Sequence, residues 1–199
     1  MEQDVIQGES DLQEPEDSVV YESEEIVIYS LFQSSIMNPD AEMAVGENIA
    51  SLELKNISGQ HIEVCEIDLT TTEGELYQFM VEDIPNDMMV MTFEISNKEL
   101  LDDVTVESVT CEARLITGDV LMQGQVVFTV HETEIQLKNI GKMSLENVTV
   151  NCHDLLDGEY FGGKKYEYGG INISPGETVV IDAMDCFLGE AGVSSIMVR

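Results

Sequence analysis

The chain has 199 residues and sets 40 Asp and Glu against 8 Lys and Arg, a formal net charge of −32. Binders of nucleic acid or anionic lipid neutralise phosphates with clustered Lys and Arg, so the balance argues against both partner classes. An apolar fraction of 43% belongs to a chain that folds, and the length suits one large domain or two of about 100 residues.

No apolar run reaches the roughly 18 residues of a membrane span. Met1-Glu2-Gln3-Asp4 does not open a secretory signal, so the expectation is either a cytosolic protein or a mature one whose signal or anchor has been removed. Residues 1–24 carry nine acids (Glu2, Asp4, Glu9, Asp11, Glu14, Glu16, Asp17, Glu22, Glu24) and no Lys or Arg, which predicts a disordered acidic linker. From Glu25 onward the texture changes to short apolar alternations rich in Val, Ile, Thr and aromatics, separated by Gly, Asn, Asp or Pro. They are Ile26–Tyr29, Asn48–Asn56, Ile62–Leu69, Leu76–Val81, Met88–Ile95, Val104–Ile116, Val120–Met122, Val126–Val130, Ile135–Leu137, Leu145–Cys152, Lys164–Ile173, Thr178–Met184 and Val193–Val198. That spacing predicts an all-β chain, with Asn97–Asp103 as the best helix candidate.

An internal repeat divides the chain. Leu54-Lys55-Asn56-Ile57-Ser58 recurs as Leu137-Lys138-Asn139-Ile140-Gly141, and an apolar strand follows each copy. Glu73-Gly74-Glu75-Leu76-Tyr77 matches Asp157-Gly158-Glu159-Tyr160-Phe161, and Ile84-Pro85-Asn86-Asp87 matches Ser174-Pro175-Gly176-Glu177. These are turn chemistries: Asn closes a strand, Gly supplies positive φ, Pro presets φ. The expected organisation is therefore two tandem Ig-like antiparallel β-sandwich domains, 25–123 and 124–199, after the acidic segment, with Thr117-Gly118-Asp119 turning near the end of the first.

The second copy, Lys138-Asn139-Ile140-Gly141 with Leu145–Val150, Asp157-Gly158-Glu159 and Ser174–Thr178, resembles the FxLYD-type and CARDB-like Ig-fold domains of bacterial cell-envelope proteins. The match spans about 45 residues of the second repeat and is looser in the first; the tyrosine–aspartate core that names the FxLYD group is replaced by His153-Asp154-Leu155. The resemblance implies an Ig-like sandwich in an exported or lipid-anchored protein, secreted or at the cell surface.

Two cysteines fall in each expected domain, Cys65 and Cys111, then Cys152 and Cys186, with no C-x-x-C pair for zinc or redox work. Strand parity turns Cys65 and Cys111 toward the first core, where an inter-sheet disulfide is one reading and reduced core cysteines the other. A second bridge, Cys152 to Cys186, is the corresponding expectation for the other half. The densest set of potential ligands is Cys152-His153-Asp154 with Asp157 and Glu159, but adjacent strand residues face opposite ways, so no metal site is expected there. Met89, Met91 and Phe93 read as core filling, and Gly162-Gly163-Lys164-Lys165 as a hairpin turn. No nucleophile elbow, phosphate loop or zinc-helix motif occurs.

The expected function is non-enzymatic and cofactor-free: an extracellular or cell-envelope binding, adhesion or spacer module for a protein or cell-surface ligand. Loops such as Ser34–Glu47 and Asp154–Lys165 are its expected contact surfaces. The alternative is an accessory or substrate-binding domain of a secreted enzyme system, with weak Ca²⁺ binding. At −32 the surface also repels itself, so added NaCl and mild acid are both expected to raise the melting temperature. A melting temperature flat from about 20 mM to about 1 M NaCl would contradict that electrostatic reading.

Overall fold

The computed structural model describes residues 19–34, 48–101, 104–116, 124–186 and 188–198, and within them every regular element is a strand. The thirteen are β1 (Tyr21–Glu22), β2 (Ile26–Ser34), β3 (Ile49–Asn56), β4 (His61–Thr71), β5 (Leu76–Ile84), β6 (Met89–Phe93), β7 (Val106–Ile116), β8 (Val126–His131), β9 (Glu134–Asn139), β10 (Leu145–Leu156), β11 (Glu159–Ile173), β12 (Thr178–Asp182) and β13 (Ala191–Val198). Alternation drives them: along β4, Cys65, Ile67 and Leu69 are buried while Glu66 and Asp68 are exposed, the period of two of a half-buried strand.

The strands form a seven-stranded sheet, β1-β2-β3-β6-β11-β10-β13, and two three-stranded sheets, β5-β4-β7 and β12-β9-β8. Two cores result. Ile26, Ile28, Leu52, Leu54 and Val90 of the large sheet pack against Ile62, Ile67, Leu69, Tyr77, Phe79 and Val81 of β4 and β5. Val148, Val150, Cys152 and Ile196 at its other end pack against Val126, Ile135 and Leu137 of β8 and β9. The pairing of β2-β3-β6 opposite β5-β4-β7 recurs as β8-β9-β12 opposite β11-β10-β13. The two arrangements fuse into one sheet because β11 pairs in parallel with β6, Tyr160 with Val90 and Phe161 with Met91, the single parallel contact among the named strand pairs.

The repeated asparagines do the same work at the same place in each half. Both are fully buried. Asn56 donates its Nδ2 to the carbonyls of Gln60 (2.8 Å) and Ile84 (2.9 Å), and Asn139 donates to Met143 (2.8 Å) and Ile173 (2.9 Å). Their Oδ1 atoms accept from the amides of Ser58 and Gly141, and their carbonyls from the amides of Asp87 and Gly176. One side chain thus ties a strand end to two turns, which a buried backbone requires. These bonds equate Asp87 with Gly176, so the two proline turns are offset by one residue from the sequence match. Pro85 stands where Ser174 does.

Three expectations change. Residues 19–24 of the acidic segment belong to the fold, because Val20 and Tyr21 pack on the first core and Tyr21 pairs with Ile28; residues 1–18 lie outside the described residues. No helix forms over 97–101, because the buried Glu94 carboxylate takes the amides of Ser96 and Lys98 (both 2.8 Å) and holds a turn instead; residues 102–103 lie outside the description. Thr117-Gly118-Asp119, Val120–Met122 and 35–47 also lie outside it. Gly162–Lys165 is a bulge inside β11, not a hairpin turn: the β10–β11 register passes from Cys152↔Tyr166 to Asp154↔Phe161, so these four residues oppose His153 alone.

That bulge presses the backbone of β11 against β5. A Cβ built on Gly163 would lie 2.0 Å from the Met80 carbonyl oxygen and 2.8 Å from Thr92 Oγ1. Gly163→Ala is therefore expected to destabilise the protein by more than about 3 kcal/mol, read as a lowered denaturation midpoint, because backbone must move to admit one methyl. An unchanged midpoint would mean that β11 does not lie this close.

Candidate functional site

Where the halves meet, β4, β5, β10 and β13 bring polar side chains together in the interior. Asp83 is the hub. It is inaccessible to solvent and sits at φ 55°, a left-handed conformation that costs a non-glycine residue about 1–2 kcal/mol and aims its carboxylate across the joint. Its Oδ1 accepts from His61 Nε2 at 3.0 Å; its Oδ2 accepts from Ser194 Oγ (2.5 Å) and Ser195 Oγ (2.7 Å). Two adjacent serines reach one oxygen because β13 bulges at Ser194: the register passes from Asn151↔Ser195 to Cys152↔Val193, putting both hydroxyls on one face. Asn151 Nδ2 in turn donates to Ser195 Oγ at 2.9 Å. Burial pushes the Asp83 carboxyl up, but the bonds from His61, Ser194 and Ser195 outweigh it and hold it down to about 2. The carboxylate is thus ionised at neutral pH.

Ser, His and Asp are the residue types of a hydrolytic triad, but the order differs. A nucleophilic serine donates to the histidine, which the aspartate orients from behind. Here both serines and the histidine donate to the aspartate, so the histidine is not placed to take a proton from a serine hydroxyl. The group ties β4 and β5 of one half to β13 of the other.

His153 lies beside it, fully buried and stacked on Tyr160 with ring centroids 4.6 Å apart and planes 14° apart. Neither ring nitrogen has a hydrogen-bond partner of good geometry, and the same holds for Asn151 Oδ1. Burial drives the His153 pKa down to about 4 against the opposing influence of Asp83, so the imidazole is neutral. Tyr160 donates its hydroxyl to the Val193 carbonyl (3.1 Å), and a Cβ on Gly192 would stand 2.7 Å from its ring, which is why glycine occupies that position.

The predicted positions distribute as follows. All four cysteines are thiols. Cys65 and Cys111 do come together, Sγ to Sγ at 3.1 Å, but on neighbouring strands of one sheet, so the inter-sheet geometry expected for them is wrong: Ile67, not Cys65, is the direct partner of Cys111. Cys186, in the turn after β12, lies against Cys152 of β10, is buried with it and donates its thiol to the His153 carbonyl at 3.9 Å, so it is this second pair that links facing sheets. Parity separates Cys152 from His153 as expected: the thiol joins the second core, and the ring enters the joint. Asp154 is buried and accepts from Tyr166 Oη (2.8 Å) and the Leu188 amide (2.7 Å). Asp154–Lys165 is accordingly strand and bulge apart from the Asp157-Gly158 turn, with Gly162 and Gly163 buried and Lys164 exposed, and not the loop the sequence suggested. Among the described residues no three His, Cys, Asp or Glu side chains are grouped to hold a metal. In β6 the residue facing the first core is Val90. Met89, Met91 and Phe93 take the other face, where Phe93 meets Phe161 edge-on at 5.2 Å.

No protein-family model matches the sequence, and no curated protein or solved structure matches it either.

Proposed function

We propose that this chain is a non-enzymatic extracellular or cell-envelope module, two Ig-like β-sandwiches in tandem that act as a rigid binding or spacer element for a protein or cell-surface ligand. The observation that carries the reading is the joint. A parallel β6–β11 pairing and a buried carboxylate network cross from one half to the other, which fixes their relative orientation. A spacer or adhesion module needs such a fixed geometry, since a flexible junction would spend binding free energy on ordering. The recurrence of six strands in one pairing scheme, each set anchored by a buried asparagine at a strand end, supports the tandem reading. The Ser–His–Asp group favours a structural role, because every donor in it is satisfied by the carboxylate.

Immunodetection on intact against lysed cells of the protein's source tests the compartment. Signal on intact cells is the expected result, and signal only after lysis would overturn it. Rigidity is tested separately by ¹⁵N relaxation, where both halves are expected to tumble with one correlation time.

A further inference from the structure

The two thiol pairs differ in one respect that decides their chemistry. Cys152 and Cys186 are buried, the second in a turn sealed against β10. Cys65 is fully buried, whereas Cys111 is partly exposed and lines an open groove of about 500 Å³ walled by Glu25, Glu66, Glu112 and Arg114. The pair sits diagonally across β4 and β7, the register joining Cys65 to Ala113 and Ile67 to Cys111. Diagonal positions in an antiparallel pair stand about 7–8 Å apart at Cα, beyond the roughly 7 Å that a disulfide spans without backbone movement, so closing a bond there shifts β4 against β7 and leaves it strained and easily reduced.

We propose that Cys65 and Cys111 form a reversible disulfide by exchange with a small neutral or cationic disulfide that enters through the groove at Cys111. The Cys111 thiolate attacks one sulfur of the reagent, forming a mixed disulfide and expelling one thiolate. Cys65, 3.1 Å away, then attacks the Cys111 sulfur and passes its proton to the second sulfur of the reagent, which leaves as a thiol, while the first thiolate takes up the proton that Cys111 released. The pair is oxidised by two electrons, and the reagent is reduced to two thiols. Geometry sets the order, since only Cys111 meets solvent. The hydrogen bond from Cys65 also lowers the Cys111 pKa and raises that of Cys65, so the exposed sulfur is the better thiolate. The groove selects the reagent: three glutamates face it, and its one cation, Arg114, is paired with Glu63 at 2.5 Å. An anionic disulfide such as oxidised glutathione is repelled, and cationic cystamine is attracted.

The full chain treated with cystamine and read by intact mass and peptide mapping tests this. Expected is loss of two hydrogens mapped to Cys65–Cys111, at a rate about tenfold or more above that with oxidised glutathione at low salt, the ratio shrinking as salt screens the glutamates. Cys65→Ser is expected to stop at a single cysteamine adduct on Cys111, and Cys111→Ser to leave Cys65 unmodified. Iodoacetamide on the unmutated protein, which needs no variant to fold, is expected to label Cys111 before the other three. Modification of Cys152 or Cys186 first, equal rates with the two disulfides, or a Cys65–Cys111 pair that stays reduced at every cystamine concentration would each overturn the proposal.

Discussion

Replacing Asp83 by alanine is expected to cost at least about 3 kcal/mol. The variant takes the shared acceptor away from three donors in a buried joint, His61 Nε2, Ser194 Oγ and Ser195 Oγ. An unsatisfied buried group costs about 1–3 kcal/mol, and breaking a buried charge-assisted set about 3–5 kcal/mol. Relief of the strained φ at Asp83 is not a compensation, because alanine at that backbone position bears the same strain without the side-chain bonds that hold it. Asp83→Asn keeps one acceptor oxygen and is expected to lose about half as much. Since Asp83 belongs to β5 and the serines to β13, the alanine variant is also expected to broaden or split a single unfolding transition. Denaturant titration followed by two probes, one in each half, reads both effects. A midpoint within experimental error of the original protein would mean that the carboxylate contributes no net stability and the joint is held by packing alone.

The strands were legible because their physics is local. Alternation along β4, β9 and β12, and turn residues between them, needs only a window of ten residues. The Lys-Asn repeat was legible as turn chemistry, although nothing short of the fold reveals that Asn56 and Asn139 reach carbonyls 28 and 34 residues away. The joint was hidden for the opposite reason. Ser194 and Ser195 meet Asp83 across 111 and 112 residues, and their sharing of a face depends on a bulge that no local pattern announces. One signal was present and passed over: Asp83 has the parity of Tyr77, Phe79 and Val81, all of them core residues, so an acid stood at an inward position of β5. An inward carboxylate demands donors, and seeking them would have pointed to a polar interface. The Gly162-Gly163 pair misled because tight backbone contact between strands and a tight turn call for the same residue.

Acidification tests the joint from the side of His153. The sequence-based expectation, that mild acid relieves carboxylate repulsion and raises the melting temperature, meets a buried base that must be neutral. From its surroundings it faces the Asp83 charge and the backbone of Glu82 and Asp83 on β5, the Lys165 charge on the β11 bulge, and the stacked Tyr160 ring. Its pKa is about 4 in the fold against an ordinary 6.5 once unfolded, so between those values the unfolded chain binds the extra proton. Stability therefore rises with pH through that window and is lost as pH falls, by about 3 kcal/mol in all and about 1.4 kcal/mol by roughly pH 5.5. Asp83 acts lower down: its folded pKa is about 2 against 3.8, so its contribution is intact above pH 3.8 and disappears as the pH falls toward 2. Ordinary carboxylates, titrating near pH 4, have scarcely begun to protonate at pH 5.5, so the histidine dominates the first part of the acid limb. The melting temperature is expected to fall from pH 7.5 to about pH 5.5 at fixed ionic strength. His153→Phe, which keeps a ring on Tyr160 and removes both unpartnered nitrogens, is expected to flatten or invert that slope and to equal or exceed the original stability at about pH 5.5. A slope unchanged in the variant would assign the acid sensitivity to another group and leave His153 without the energetic role its burial implies.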